Sequence, residues 1–303
     1  MAPALPEAVG RRAASLVRRH ALNAGLTWEV QRRRMAKAMA LTKAPAGVTR
    51  ATSTRGGVPV EILSPAGRSS TATLIHLHGG GFTVGSALMG LGWGGSLALA
   101  LDLEVVLPDY RLAPEHPFPA ALDDVNAVVA EVMATATPGS VALSGDSAGG
   151  NLALVAALEA AQRGSAPASL LLLSPWLDLS VDRTADRALL KRDPMLDPAW
   201  LAASAQVYAP GGLRDPRVSP LLGSLDGLPP TLVQGGSDDV LAPDALRLAA
   251  LRPDVVSLSV ATPLWHDYAL QVGALRAADE ALVLSIDHLA RTLDRATSTT
   301  KEP

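Results

Sequence analysis

The sequence contains no cysteine, and its aromatic residues are scarce, with five Trp, three Tyr and two Phe among 303 residues. The absence of cysteine excludes disulfides, thiolate nucleophiles and every Cys-based zinc or iron–sulfur site. Histidine is also rare, with six residues, so the candidates for a catalytic base are few. A nucleophile, if the chain has one, must therefore be a group other than a thiol.

Charge of either sign is low as well. Lys and Arg total 26 against 29 for Asp and Glu, while hydrophobic residues make up 48%. This composition excludes a coiled coil and a disordered chain, and it argues against a nucleic-acid partner, which usually requires a basic excess. No run reaches the ~18–20 apolar residues that cross a bilayer, and the start lacks the apolar region of a signal peptide. We expect a cytoplasmic protein without stable membrane insertion.

The pattern along the chain predicts an α/β protein with three kinds of segment. Residues 1–45 are interpreted as basic cap helices lying on a core, in preference to a membrane-surface helix. From about residue 57, short apolar strands alternate with helices, which is typical of a parallel sheet covered on both faces. Residues 176–214 interrupt this alternation and are predicted to form a cap insertion over the ligand-binding edge of the sheet. The predicted catalytic core comprises residues 46–175 and 215–303.

The strongest motif is Gly-Asp-Ser-Ala-Gly-Gly at residues 145–150, which contains the pattern G-x-S-x-G. A predicted strand precedes it directly and a predicted helix follows it, as a nucleophile elbow requires. Such a turn projects Ser147 Oγ at the start of the helix, where the amide of Ala148 can donate to a developing oxyanion. Ser147 is therefore the predicted nucleophile.

A second glycine motif, His-Gly-Gly-Gly-Phe at residues 78–82, follows another predicted strand. Consecutive glycines leave backbone N–H groups uncovered, so this loop can form the other half of an oxyanion hole. A phosphate-binding loop is disfavoured because neither Gly-Lys-Ser/Thr nor G-x-G-x-x-G is present. His78 is expected to anchor the loop by hydrogen bonds.

A serine nucleophile needs a base and an acid that orients the base, and in α/β-hydrolases they follow the serine in the order acid, then histidine. Two histidines come after the serine. His266 is predicted to lie in a loop and His288 inside the C-terminal helix, so His266 is the predicted base. The acid should follow the preceding strand, where Asp238 and Asp239 are neighbours and loop position alone does not separate them.

Together these motifs resemble the hormone-sensitive lipase family of α/β-hydrolases, the bacterial family IV esterases. The resemblance covers residues 57–290 and includes Asp-Tyr-Arg-Leu-Ala-Pro-Glu at 109–115, Asp-Pro-Arg-Val-Ser-Pro at 215–220 and Trp-His at 265–266. It implies the α/β-hydrolase fold, with a mostly parallel central sheet, helices on both faces and a helical cap. Because many members are dimers, a homodimer is one expectation.

The resemblance also implies an activity. Family members hydrolyse carboxylic esters, commonly with short to medium acyl chains, without a cofactor or metal ion, and here the acyl-enzyme would form on Ser147. The family's orienting acid opens an Asp/Glu-x-Leu motif, which favours Asp239 over Asp238. The implied oxyanion hole consists of Gly79, Gly80, Gly81 and Ala148.

Three aromatic residues lie next to these motifs, and we predict that they line the substrate pocket: Phe82, Trp176 and Trp265. Asp267 is a charged residue directly after His266 that either perturbs the base or points to solvent. Other activities on the same triad remain open, namely a lactone hydrolase and an amide or acetyl deacylase. A non-catalytic small-molecule receptor would predict the loss of a triad member, and all three are present.

Overall fold

An eight-stranded sheet forms the centre of the described residues in this computed structural model, which are 5–40, 42–183, 189 and 192–294. The strands, in chain order, are β1 (Val48–Arg55), β2 (Val58–Pro65), β3 (Thr73–Leu77), β4 (Glu104–Pro108), β5 (Val141–Asp146), β6 (Ser169–Leu173), β7 (Thr231–Gly236) and β8 (Val256–Ala261). The helices are α1 (Glu7–His20), α2 (Trp28–Met39), α3 (Leu91–Leu101), α4 (Ala120–Thr135), α5 (Ser147–Gln162), α6 (Pro198–Tyr208), α7 (Ala242–Leu251) and α8 (Arg276–Thr292).

Some residues of the predicted segments lie outside this description. Residues 1–4 and 41 belong to the predicted N-terminal cap, and 184–188, 190 and 191 belong to the predicted cap insertion. Residues 295–303 end the predicted core.

The strands follow the order β1-β2-β4-β3-β5-β6-β7-β8. β1 pairs antiparallel with β2, and β2 antiparallel with β4, whereas every pair from β4 to β8 is parallel. The carboxyl ends of β3 and β5–β8 therefore meet at one edge of the sheet, the edge that binds ligands in open α/β folds. The predicted α/β class and mostly parallel sheet are confirmed.

Helices cover both faces of the sheet, and β6 shows why. Leu170 and Leu172 belong to one core cluster, which also contains the apolar side chains of α4 and α5. Leu171 and Leu173 belong to a second cluster with α3 and α8. Because neighbouring side chains of a strand point to opposite faces, an unbroken run of leucine is apolar on both.

The basic N-terminal segment forms two helices, as expected for cap helices, and the strand that follows them was not predicted. Thr27 caps the second helix by accepting the N–H of Val30 at 3.4 Å. β1 was not predicted, because its residues are mostly polar and exposed, without hydrophobic periodicity. Its hydrogen bonds to β2 hold it at the sheet edge.

Among the described residues, no helix is both long and apolar enough to span a bilayer.

Candidate active site

Ser147 occupies the tight turn between β5 and α5, at the carboxyl edge of the sheet. Its φ is +52°, a left-handed conformation that side chains rarely adopt, and its side chain is buried. A Cβ at Gly149 would collide with the carbonyls of Leu77 and His78, so this turn can approach β3 only with glycine at that position. The motif therefore builds the strained elbow that was predicted for it.

The loop after β3 lies directly against this turn. A Cβ placed on Gly79 would come within 3.0 Å of Ser147 Cβ. The Gly80 carbonyl accepts the N–H groups of Thr83 and Val84 at 3.1 and 3.0 Å, which closes the loop into a turn. In the part of the chain that the structure describes, no hydrogen bond has the N–H of Gly80 or Gly81 as its donor.

A third amide, that of Ala148, lies in the first turn of α5, where N–H groups have no partner within the helix. The glycine loop and the helix start thus both present amide groups beside Ser147. Such an arrangement can bind an oxygen that carries negative charge.

His78 anchors the glycine loop through contacts with the Gly79 carbonyl and the Tyr110 ring. Its Nδ1 lies 2.7 Å from the Gly79 carbonyl oxygen, and its ring stacks on Tyr110 with centroids 4.2 Å apart. The Tyr110 hydroxyl donates to the His78 carbonyl at 2.6 Å. Burial lowers the pKa of His78, so the ring is held neutral and fits the expected anchoring role.

Arg32 of α2 supports the same loop from outside. Its guanidinium donates to the Thr83 carbonyl at 2.7 Å and to Glu115 at 2.7 Å. The bond from Arg32 lowers the pKa of Glu115. Glu115, which belongs to one of the motifs, therefore acts on the loop through an arginine of the N-terminal segment.

His266 lies in the loop after β8 and faces Asp239, which follows β7. Its Nδ1 is 3.1 Å from each carboxylate oxygen of Asp239, and both side chains are buried. A histidine held in this way has its Nδ1–H fixed toward the acid and its Nε2 directed away from it.

The two residues that competed with this pair have other partners. Asp238 accepts a hydrogen bond from Arg11 at 2.8 Å and lies 3.8 Å from Arg192. His288, in α8, binds the Ser169 hydroxyl at 2.9 Å, at the start of β6 and thus at the opposite end of that strand from the active-site edge. The structure therefore brings Asp239, rather than Asp238, to the histidine.

The histidine loop also reaches back toward Ser147. The N–H of Asp267 donates to Ser174 Oγ at 3.1 Å, directly after β6, which is the neighbour of β5. The N–H of Trp176 donates to the Ser147 carbonyl at 3.0 Å. These bonds connect the loops after β5, β6 and β8 at the carboxyl edge of the sheet.

Several carboxylates lie close to His266. Asp267 Oδ2 lies 3.1 Å from His266 Nε2, so both ring nitrogens face a carboxylate. Burial alone would lower the pKa of His266, but the charges of Asp267 and Asp239 outweigh it and hold the pKa well above the usual range. The sequence left open whether Asp267 perturbs the base or points to solvent. Its side chain is buried, so it does not point to solvent.

Asp193 is a further buried carboxylate, which the sequence analysis missed. It accepts the N–H of Val240 at 3.0 Å and that of Met195 at 2.8 Å. Burial and the nearby charge of Asp239 raise the pKa of Asp193 to about 6. It joins the segment after residue 176 to the turn that carries Asp239, a long-range contact for which the sequence has no local signal.

The predicted pocket aromatics separate into two groups. Phe82 and Trp176 belong to one core cluster, with ring centroids 6.0 Å apart, and Phe82 stacks on Tyr208 at 3.8 Å. Trp265 belongs to the other cluster, where Gly10 of α1 lies against its ring and Arg11 sits 5.3 Å from its centroid. The structure thus places Trp265 away from Phe82 and Trp176, under α1.

α6 covers the glycine loop. A Cβ at Gly81, whose φ is +60°, would lie 2.6 Å from the ring of Trp200 and 3.1 Å from Ser204 Oγ. Beside this helix is a cavity of about 240 Å³ lined by Trp176, Leu179, Arg183 and Leu201 among others. Arg183 pairs with buried Asp244 at 2.6 Å, which links the insertion to α7.

The mostly parallel sheet, with Ser147, Asp239 and His266 on loops at its carboxyl edge, is the arrangement of an α/β-hydrolase. A family model described as alpha/beta hydrolase fold matches residues 74–268. The chain belongs to this family.

Individual relatives narrow the assignment. The chain is 37% identical over 233 residues to an esterase of Acinetobacter venetianus, covering 75% of this chain and 77% of that protein. It is 38% identical over 225 residues to an acetyl-hydrolase of Streptomyces hygroscopicus, covering 71% and 75%. A solved hormone-sensitive lipase from a metagenome library matches with a TM-score of 0.89 and 28% identity, over 96% of this chain and 99% of that one. Within the α/β-hydrolases, the chain is thus a member of the hormone-sensitive lipase family.

Proposed function

We propose that the protein is a serine carboxylesterase, with Ser147 as nucleophile, His266 as general base and acid, and Asp239 as the acid that orients the histidine. The observation that carries this proposal is the pairing of His266 Nδ1 with both oxygens of Asp239, at 3.1 Å each, in a histidine loop that is joined to the Ser147 elbow through the loop after β6. The esterase and acetyl-hydrolase names of the relatives support the same reaction.

The reaction then proceeds by acyl transfer. His266 Nε2 takes the Ser147 proton while Oγ attacks the ester carbonyl, and the same nitrogen gives the proton to the departing alcohol. Water enters and hydrolyses the acyl-enzyme by the reverse sequence of proton transfers. Ser147, His266 and Asp239 are buried in the sheet edge, which strengthens their electrostatic interactions.

The amides of Gly80, Gly81 and Ala148 form the proposed oxyanion hole. Support comes from the N–H groups of Gly80 and Gly81, which have no hydrogen-bond acceptor within the described part of the chain. Gly79 would serve by letting the loop touch the Ser147 elbow. One such donor contributes roughly 2.7–4 kcal/mol to catalysis in other enzymes.

The substrate pocket is proposed to include Phe82 and Trp176 and to lie under a cap made of residues 1–45 and 176–214, with 46–175 and 215–303 as the core. The stacked aromatic rings, which are buried beside the glycine loop, favour a short acyl chain. Short- to medium-chain esters are therefore the proposed substrates, and a deacetylating activity is the second candidate because one relative is named an acetyl-hydrolase.

Chain-length profiling tests this proposal. The purified protein is assayed with p-nitrophenyl esters from acetate to palmitate, together with a small lactone and an acetanilide. Turnover should be highest on the short esters and should be abolished in Ser147→Ala. The matched control is Ser224→Ala, which alters an exposed serine in a turn and should retain wild-type turnover.

Two results would contradict the proposal. A folded Ser147→Ala variant with wild-type turnover would reject the nucleophile, and an exclusive preference for the anilide or the lactone would replace the ester by that substrate. A cytoplasmic location and a homodimer also remain predictions, which cell fractionation and light scattering can test.

A further inference from the structure

The imidazole of His266 contacts a carboxylate at each ring nitrogen. Asp239 faces Nδ1, and Asp267 Oδ2 lies 3.1 Å from Nε2. Nε2 is the nitrogen that must exchange a proton with Ser147 in a triad of this kind. A charged group at this nitrogen therefore bears on the chemical step itself.

Asp267 is held in this position by its backbone. Its φ is +55°, in the left-handed region, and its N–H donates to Ser174 Oγ at 3.1 Å. The side chain is 7% exposed, and in the described ranges its Oδ1 is a buried oxygen without a hydrogen-bond partner. A buried carboxylate with one orphan oxygen and one oxygen on an imidazole is oriented chiefly by that imidazole.

We propose that Asp267 is a positioning residue that binds His266 at Nε2 and sets the pH above which the histidine can act as a base. The inference rests on the proposed function, because it assigns a role within the same triad.

At low pH one proton lies between Asp267 Oδ2 and His266 Nε2, so the nitrogen has no free lone pair for Ser147. When that proton leaves, Asp267 remains as a carboxylate and Nε2 can accept the proton of Ser147 Oγ as the bond from Oγ to the carbonyl carbon forms. Nε2–H then faces Asp267 until the proton passes to the oxygen of the departing alcohol.

The surroundings raise the proton affinity of the pair. Burial raises the pKa of Asp267 to about 7, against the lowering effect of His266. The pKa of His266 is raised by the charge of Asp267 and of Asp239 despite burial. Because Asp267 Oδ2 and His266 Nε2 are 3.1 Å apart and can share one proton, the pair titrates as a unit.

Other charged groups face this pair from the neighbouring loops and helices. Asp239 comes from the turn after β7, Asp146 from the end of β5, and Asp193 from the segment before α6. Asp146 is itself 3.3 Å from His76 Nε2, and Arg11 of α1 donates to the Pro263 carbonyl in the histidine loop at 2.8 Å. The immediate environment is predominantly acidic, which keeps the shared proton bound.

The test is the pH profile of kcat/KM for Asp267→Asn. Asparagine tolerates a left-handed backbone and keeps the shape of the side chain, but it removes the charge. The acidic limb of the profile should move to lower pH by about one unit or more, the size of effect that a neighbouring carboxylate exerts. The plateau should fall, because the imidazolium of the transition state loses an anion. Asp267→Gly, which also suits the backbone, should shift the limb in the same direction.

The control is Asp254→Asn, which removes an exposed carboxylate paired with Arg252 and should leave the limb in place. An acidic limb that does not move in either Asp267 variant would overturn the proposal. If the plateau of kcat/KM changed while the acidic limb stayed in place, Asp267 would have only a structural role, and the proposal would also be overturned.

A second measurement separates this inference from the proposed function. In the Ser147→Ala background, which needs no activity, NMR of isotope-labelled histidine follows the titration of His266 with and without Asp267→Asn. A lower pKa of His266 in the double variant supports the pairing even if no ester is hydrolysed. An unchanged pKa rejects the pairing even if the protein is an active esterase.

Discussion

Trp200 Nε1 donates a hydrogen bond to Gln31 Oε1 at 2.8 Å, and both side chains are buried. Trp200 lies on α6 and Gln31 on α2, so this bond joins two segments that are far apart in the sequence. Gln31 also donates to the Leu26 carbonyl at 3.0 Å, which fixes its amide. The covering of the glycine loop by α6 therefore depends on a polar contact inside an apolar interface.

Gln31→Met should lower the free energy of unfolding by about 1–3 kcal/mol, because the buried N–H of Trp200 loses its acceptor. Trp200→Phe should have a comparable cost, and the double variant should cost less than the sum, as for two groups in contact. Chemical denaturation measures all three. Arg33→Met, on the exposed side of the same helix, is the control and should be near neutral. Strict additivity would show that the bond contributes no coupling.

Asp239→Asn should reduce kcat about 10⁴-fold, as the loss of an orienting carboxylate does in a serine protease, because asparagine cannot hold the required tautomer. Asp238→Asn is the matched change one position earlier. It removes the partner of Arg11 and should lower the melting temperature while leaving kcat close to that of the wild type. Steady-state kinetics with a short p-nitrophenyl ester distinguishes the two, and the opposite ranking would exchange their roles.

Gly81→Ala should reduce kcat about 10²–10³-fold, the usual loss for one oxyanion donor. The added methyl group meets the Trp200 ring at 2.6 Å, and φ of +60° is unfavourable for alanine, so the Gly81 amide must move. Gly92→Ala provides the comparison, because its Cβ would meet nothing within 4 Å in α3. That variant should keep full activity and gain up to about 1 kcal/mol of stability. Equal kcat values for the two variants would remove Gly81 from the site.

Arg183→Met should destabilise the protein by about 3–5 kcal/mol, because it leaves Asp244 as an unpaired buried charge. Burial already raises the pKa of Asp244 in spite of Arg183, and the carboxylate also accepts the N–H of Leu177 at 2.8 Å. Thermal unfolding measures the loss. Arg276→Met breaks an exposed pair with Glu280 and should change stability by less than about 1 kcal/mol. A similar small change at Arg183 would mean that solvent reaches Asp244.

The parts of the site that the sequence predicted are those whose signal is local. The Ser147 elbow and the glycine loop each depend on a strand, a turn and small residues that are adjacent in the chain. The pairing of His266 with the loop after β7 followed from chain order, because parallel strands bring successive loops to one edge. Most core strands are also visible in the sequence as apolar runs, because a strand covered by helices on both faces is apolar on both.

What the sequence could not predict depends on the direction of single side chains or on distant partners. Trp265 is adjacent to His266, yet its ring turns to the opposite core cluster, and no spacing rule encodes that choice. Spacing also left open whether Asp267 faces the base or solvent. The bonds of Arg183 and Gln31 join segments far apart along the chain, and their partners are set only when the whole fold has formed.

The position of β8 has a consequence for how the protein is made. β8 is an outer strand of the described sheet, and His266 follows it, whereas the Ser147 elbow belongs to a strand that is synthesised much earlier. A serine hydroxyl without its base is a weak nucleophile. On the proposed mechanism, Ser147 therefore gains its capacity to attack esters only when β8 has docked and the loop after it has brought the His266 imidazole to the elbow.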